Sequence, residues 1–468
     1  MRGFKSPDRN QLLVLPPNLN DWLRPDHPAR LVLSYLEEID LSRFYAAYTS
    51  AVGQPPYDPK MMLAIILYAA VVNITSSRKI EERLEDDIAF RFLTAGLHPD
   101  HDTIADFRKR HAGLMEDVFV GGVRLAIKSG MATLNHAVID GTKMQANAAK
   151  GKRMSKKELK QETDHIKHLV GKFFEESEKT DREEDEKFGK GRNPFFLPKH
   201  LQDEEALRQW VKEALREESN ANQAEPEEAK PAEDKITDAE KRARRKAKKL
   251  KKASDSLDEQ VQESVQKDPT GRRKREREKR NGEPEVPTVN MTDPDCRRMR
   301  FANGRFGEAY NCQIVVDDNA SIILAADVVQ DKNDQRQLLP MAEQVRNNTG
   351  WLPAHFSGDT GYFNVRQMND PRLKSVEFWV PPKTVGKKEG AQTDSQAMRD
   401  KMDTELGRRL SGLRKSIVEP VFGAIKYARK FNRLVMRGKR MVRAEWLTWC
   451  TAHNLLKMHK AGILVTQV

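Results

Sequence analysis

Arg414-Lys415-Ser416-Ile417-Val418-Glu419-Pro420-Val421-Phe422-Gly423-Ala424-Ile425-Lys426 reads at helical period. Val418, Val421, Phe422 and Ile425 fall at i, i+3, i+4 and i+7 and make one apolar stripe. Lys415, Glu419, Lys426 and Lys430 form a neighbouring stripe of the same helix, with Arg414 beside it. A carboxylate between ammonium groups suits a cation at the centre and phosphates at the flanks. The same residues suit an ordinary surface helix with charge pairs worth about 0.2–0.5 kcal/mol each. Pro420 offers a third reading. Proline disfavours helical conformation in the residue before it and favours the first helical position, which would make Glu419 an N-cap. A choice among the three needs acidic partners elsewhere in the chain.

Two short apolar strands supply such partners. Asn135-His136-Ala137-Val138-Ile139-Asp140-Gly141-Thr142 delivers an aspartate at a strand end. Asp is disfavoured inside strands, so Asp140 is a turn residue or a site residue. Lys143 follows, placed for a phosphate or for plain solvent. A second strand within 351–363 ends in Asp359, where Gly358 and Gly361 allow close backbone approach to a phosphate. Between these strands, Phe306–Asp317 and Ser321–Val329 read as a hairpin turned at Asp318-Asn319-Ala320. A helix over 335–347 follows, and Lys374–Val380 is a further strand stopped by Pro381-Pro382. A polar loop fills 383–408. Asp295, Asp317 and Asp327 rival Asp359. Asp317 suits the turn, Asp327 lies inside its strand, and Asp359 follows the helix.

Residues 1–130 read as an all-helical domain. Asp58-Pro59 is an N-cap with Pro at the first helical position, opening the apolar run Met61–Val72. That run is too short for a bilayer, which needs about 20 residues, and reads as a buried helix. Ile80, Leu84 and Ile88 recur every four residues in a helix ended by Gly96. A helix from Asp102-Thr103 ends in Arg108-Lys109-Arg110-His111, and the pair resembles a helix-turn-helix reader as well as a plain bundle. From 151 to 288 the chain is dominated by Lys, Arg and Glu, an inserted helical, partly disordered arm. Thr237 to Glu240 has the capping-box pattern. The basic runs 241–252 and 272–280 suit phosphates or a solvated face. Residues 289–440 complete the core, and 441–468 hold a C-terminal helix with Trp446 and Trp449.

Lys and Arg number 82 against 70 Asp and Glu, a net +12 that points to a polyanion, nucleic acid first. Cys296, Cys312 and Cys450 are too few and too scattered for a disulfide framework or a zinc ribbon, which suits a reducing cytoplasm. The N-terminus shows no apolar signal segment.

Strand ending in Asp140, long insert, hairpin, helix, strand ending in Asp359, strand, helix bearing Glu419: this is the ribonuclease-H-like order, an α/β fold with a mixed sheet. It would bring the three carboxylates to one sheet edge. Such like charges need neutralising, and magnesium, a hard ion, takes carboxylate oxygens. Two ions about 3.5–4 Å apart would serve an in-line displacement.

The chain resembles the bacterial insertion-sequence transposases of the DDE type with an InsH-like N-terminal domain. The likeness rests on Tyr57-Asp58-Pro59-Lys60-Met61-Met62-Leu63, His101 to Arg108, Val138 to Thr142, Gly358 to Tyr362 and Val418 to Lys426. It implies a catalytic and metal-binding triad of Asp140, Asp359 and Glu419, Mg²⁺ or Mn²⁺ as cofactor with two ions, cleavage and joining of double-stranded DNA, and a homodimer on DNA. Arg108, Lys109, Arg110, Lys143, Arg414, Lys415, Lys426 and Lys430 are the DNA-contact candidates. Many relatives carry a Tyr seven residues before the Glu, a basic residue four before and a Lys seven after. Lys415 and Lys426 fit, and Gly412 occupies the Tyr position. A basic DNA-binding or regulatory protein, or a nuclease of the same fold without strand transfer, are the alternatives.

Overall fold

The computed structural model describes residues 18–48, 55–168, 232–270, 286–382 and 392–463, with 179, 182 and 275 besides. Residues 1–150 with 295–468 form one compact unit, and 151–294 a second.

In the first unit the N-terminal segment is helical: α1 (Pro28–Glu37), α2 (Pro59–Val71), α3 (Ser77–Asp86), α4 (Ile88–Thr94), α5 (His101–His111) and α6 (Met115–Lys128). Asp58 caps α2 by accepting the Lys60 N–H at 2.7 Å, and Pro59 sits in its first turn. Every residue of α2 but Lys60 is buried, which explains its unbroken apolar run. The helix expected to run on to Gly96 is two. Asp87 interrupts it, and its carboxylate caps α4 through the Ala89 and Phe90 N–H groups. The cap of α5 is Asp100, accepting from Thr103 N at 2.6 Å, rather than Asp102.

The sheet is mixed. β1 (His136–Gln145) pairs antiparallel with β5 (Phe306–Asp317) from Ala137↔Asp317 to Gln145↔Ala309. The other edge of β5 takes β4 (Arg297–Arg300) and β6 (Ile323–Val329), both antiparallel. β1 also pairs parallel with β7 (His355–Ser357), and β7 with β8 (Glu377–Trp379). The order β6-β5-β1-β7-β8 puts β1 at the centre. Helices α8 (Leu338–Thr349), α9 (Gln392–Met402), α10 (Glu405–Gly423) and α11 (Lys439–Lys460) complete the unit. α9 lies in the stretch expected to be loop.

α11 joins the N-terminal helices to the sheet in one core. Trp446, wholly buried, donates its indole N–H to Gln313 O at 3.2 Å. Asn454 accepts from Ile323 N and donates to Ile323 O, completing backbone bonding at the start of β6. Arg443 reaches both Glu116 and Asp327, at 2.8 and 2.6 Å.

The second unit has its own core of Leu159, Ile166, Leu250, Ala253, Leu257 and Val289. It contains α7 (Ala232–Lys267) and the pair β2 (Arg153–Ser155) and β3 (Thr288–Asn290). Thr237 to Glu240 falls inside α7, not at its start. Of the basic runs, 241–252 lies on α7, and 272–280 lies outside the described residues apart from Arg275.

Glu445 on α11 accepts the Val435 and Met436 N–H groups at 3.0 Å. Burial pushes its carboxyl up to about 7 against those bonds and the Arg108 charge. A folded value above the unfolded one means that its contribution is full below about pH 4.5 and is lost as pH rises through about 7. Glu445→Gln is expected to flatten the loss of stability between pH 5 and 8, by on the order of 2 kcal/mol. Urea denaturation at each pH measures it, and an unchanged slope would contradict it.

Candidate functional site

Asp140 is the fifth residue of the ten-residue β1, so it does not end its strand. β7 pairs with β1 only over His136–Val138, and Asp140 stands just beyond that pairing. Asp359 follows β7 by two residues and caps the 3-10 turn Thr360–Tyr362, accepting Gly361 N at 2.8 Å. A Cβ on Gly358 would come within 3.0 Å of Ile139, and one on Gly361 within 2.8 Å of the Asp359 carboxylate. Glycine at 358 lets the Asp359 turn lie against β1, and glycine at 361 leaves room for the Asp359 carboxylate over its own turn.

The Asp140 carboxyl feels the Asp359 charge. Burial pushes Asp140 up to about 6, the Asp359 and Asp334 charges add to the rise, and the Gly141 N–H and Arg414 oppose it. Gly141 N donates to Asp140 Oδ1 at 2.7 Å, and Arg414 approaches Oδ2 at 3.9 Å. Thus Arg414 faces Asp140 rather than open solvent.

Glu419 is not brought to this pair. It is exposed, well inside α10, whose N-cap is Thr404. The N-cap reading of Glu419 therefore fails, since Pro420 sits within the helix. The apolar stripe holds: Val418, Val421 and Ile425 are buried and Phe422 partly so. The charged stripe does not. A π turn over Ala424–Ala428 has more residues per turn than an α-helix and breaks the phase between Glu419 and Lys426. Lys415 stays exposed, while Lys426 turns inward and donates to Thr142 Oγ1 at 2.8 Å. Lys430 lies past the helix at φ 54°.

A third carboxylate, Asp334, makes its charge felt at Asp140. It follows β6, which runs parallel to β1, so its loop opens at the same sheet end as Asp140. Burial and the charges of Asp334, Asp140 and Asp359 all push the buried Tyr362 phenol up. The sequence reading passed over Asp334; the topological signal was a pair of aspartates, Asp331 and Asp334, just after that strand. Lys143, expected to reach phosphate, pairs instead with Asp334 at 3.1 Å.

The remaining candidates divide. Arg108 turns inward, donating to Thr75 O at 2.8 Å and Ser77 Oγ, and burial lowers it to about 10. It lines a cavity of about 50 Å³ with Glu445, one that includes neither Asp140 nor Asp359. Lys109 is exposed and pairs with Asp106; Arg110 is exposed, its guanidinium 5.1 Å from the Tyr48 ring. The rival aspartates have other partners. Asp317 accepts the Leu134 and Asn319 N–H groups, Asp327 pairs with Arg443, and Asp295 accepts Lys439 N.

Among the described residues, no group of three His, Cys, Asp or Glu side chains is placed to hold a metal ion. Asp140, desolvated and raised by the nearby Asp359 charge, makes with Asp359 a fitting pair of donors for a hard divalent cation. Glu419 stands outside that set.

A transposase domain family (DUF772) matches residues 17–110, over the N-terminal helices, and a transposase DDE domain family matches 382–459, over α9 to α11. Glu419 lies in the second range; Asp140 and Asp359 lie in neither. Neither the comparison with curated proteins nor that with solved structures gives a significant match. No described helix is long and apolar enough to cross a membrane.

Gly141→Ala is expected to cost about 1–3 kcal/mol, because its Cβ would fall 2.2 Å from Gln313 Nε2. Gly412→Ala, mid-helix with nothing within 4 Å, is expected to gain about 0.5–1 kcal/mol. Urea denaturation of both variants checks the pair.

Proposed function

Proceeding from the two transposase domains, which are consistent with an insertion-sequence DDE transposase, we propose that this chain binds the terminal repeats of its own element, cleaves DNA strands there and joins the 3′ ends to target DNA. The observation that carries the reading is that Asp140 and Asp359 each stand two residues past the end of the β1–β7 pairing, with the Asp359 charge raising Asp140. The strand order β6-β5-β1-β7-β8, with the last two parallel to β1, is what a ribonuclease-H-like core requires, and it supports that fold.

In this reading Asp140, Asp359 and Glu419 hold Mg²⁺ or Mn²⁺, two ions. The ions, when bound, would activate the attacking oxygen and stabilise the leaving one. Asp140 and Asp359 bind and orient. Arg414, beside Asp140, balances part of the carboxylate charge before a cation arrives. Glu419 joins the pair when DNA engages α10. Two features make this helix adjustable: Pro420 supplies no N–H to the turn before it, and the π turn follows at once. Lys415, Lys430, Lys109 and Arg110 are the exposed cations for DNA phosphates. Pairing of two element ends implies a homodimer on DNA. The exposed position of Glu419 favours a second reading, a protein that keeps DNA binding and has lost cleavage.

A supercoiled plasmid carrying the DNA that flanks the chain's own gene tests the two readings, with Mn²⁺ added. Asp359→Asn is expected to cut nicking about 10³-fold, the loss of several kcal/mol of charge stabilisation, and to leave DNA binding nearly intact. Nicking by Asp359→Asn at the wild-type rate would remove the assignment; absence of nicking in wild type would favour the binding-only protein.

A further inference from the structure

One face of the β1–β5 pair carries a polar cluster that the carboxylate pair does not itself use. Gln313 lies opposite Gly141 and Asn311 opposite Lys143, and neither amide side chain has exposed surface. Asp334 Oδ1 accepts Asn311 Nδ2 at 2.6 Å and Gln313 Nε2 at 2.8 Å, and Lys143 Nζ stands 3.1 Å away. The other end of Gln313 accepts the Tyr362 hydroxyl. Tyr362 belongs to the turn that Asp359 caps, and its N–H donates to Asp359 O at 3.0 Å. A continuous chain of contacts therefore runs from β1, three residues past Asp140, through Asp334 and Gln313 to the Asp359 turn.

We propose that Asp334 is the positioning residue of the Asp140–Asp359 pair: it orients the Gln313 amide so that Tyr362 pins the Asp359 turn beside β1, and Lys143 balances its charge. A carboxylate is the fitting group at the centre of this cluster. It only accepts, and the three groups aimed at it, two amide N–H donors and an ammonium, only donate. Lys143 Nζ also lies 3.5 Å from Oδ2, so donors engage both oxygens, and Asp334 acts through Gln313 and not as a further metal ligand. Gln313 is directed by it: with Nε2 held on Asp334, Oε1 is left for the phenol. The Lys143 that sequence suggested for DNA is the counter-charge of this device.

This inference rests on Asp140 and Asp359 being the metal carboxylates, and the experiment separates the two. Full-length wild type, Asp140→Asn, Asp334→Ala, and the neutral pair Asp334→Asn with Lys143→Met are compared by two readouts. The first is metal-free amide hydrogen exchange over 358–363. The second is the Mn²⁺ concentration that gives half-maximal nicking of a supercoiled plasmid. Asp334→Ala is expected to speed exchange in 358–363 while leaving α2 unchanged, and to raise the Mn²⁺ requirement about 10–100-fold. The neutral pair, which keeps an oxygen acceptor for the two amides without a stranded ammonium, is expected to return both readouts most of the way. Asp334→Asn alone replaces the Ala variant should that one fail to fold. Wild-type exchange and wild-type Mn²⁺ requirement in Asp334→Ala would overturn the proposal. So would a neutral pair with native exchange but no nicking at any Mn²⁺ concentration, which would make Asp334 a ligand. Wild-type nicking by Asp140→Asn would instead overturn the reading of the carboxylate pair, whatever the exchange data say of Asp334.

Discussion

Burying Asp140 near the Asp359 charge is a standing electrostatic cost, and the site is arranged around that cost. Burial and the Asp359 charge both disfavour ionised Asp140, which sits at about 6. What offsets the cost is local and geometric: the Gly141 N–H on Asp140, the Gly361 N–H on Asp359, and Arg414 nearby. None of these fully neutralises the pair. Two carboxylates near one another at a sheet end fit the hard cation that the proposed function requires.

Backbone, more than side chains, brings the pair together. The parallel pairing of β1 with β7 stops at Val138↔Ser357, and both chains carry their aspartates just past the stop. A small residue makes the approach possible, Gly358 against Ile139, and Gly141 against Gln313 likewise leaves no room for a Cβ. The Asp-Gly pair in β1 therefore has two separate reasons. Asp140 faces the acidic partner, and Gly141 clears space for the amide network on the other face.

Several charged residues hold the fold, Asp317 and Arg108 among them, which sequence offered as site candidates. Arg443 binds Glu116 and Asp327 and so ties α11 to α6 and β6. Asp317 organises the backbone at the entry to β1 through Thr133 and Leu134. Arg108 opens a basic run in which Lys109 and Arg110 reach solvent, yet it turns inward to the Thr75 carbonyl. Its position one residue past the buried Phe107 puts it at the margin of the apolar face of α5, where a long side chain can reach under the neighbouring helix.

Local chemistry made much of this legible from sequence alone. The Asp58-Pro59 start of α2, the apolar strands around Asp140 and Asp359, the hairpin turned at Asp318, and the apolar stripe of α10 all follow from side-chain period and turn residues, which act over a few positions. Which residues meet is another matter. Lys426 left the expected stripe because a π turn altered helix phase and went to Thr142, Lys143 went to Asp334, and the Asp334 charge reached Asp140 unannounced. Those outcomes depend on strand register and helix rotation, and these are set by packing between segments far apart in the chain, so only the tertiary structure decides them.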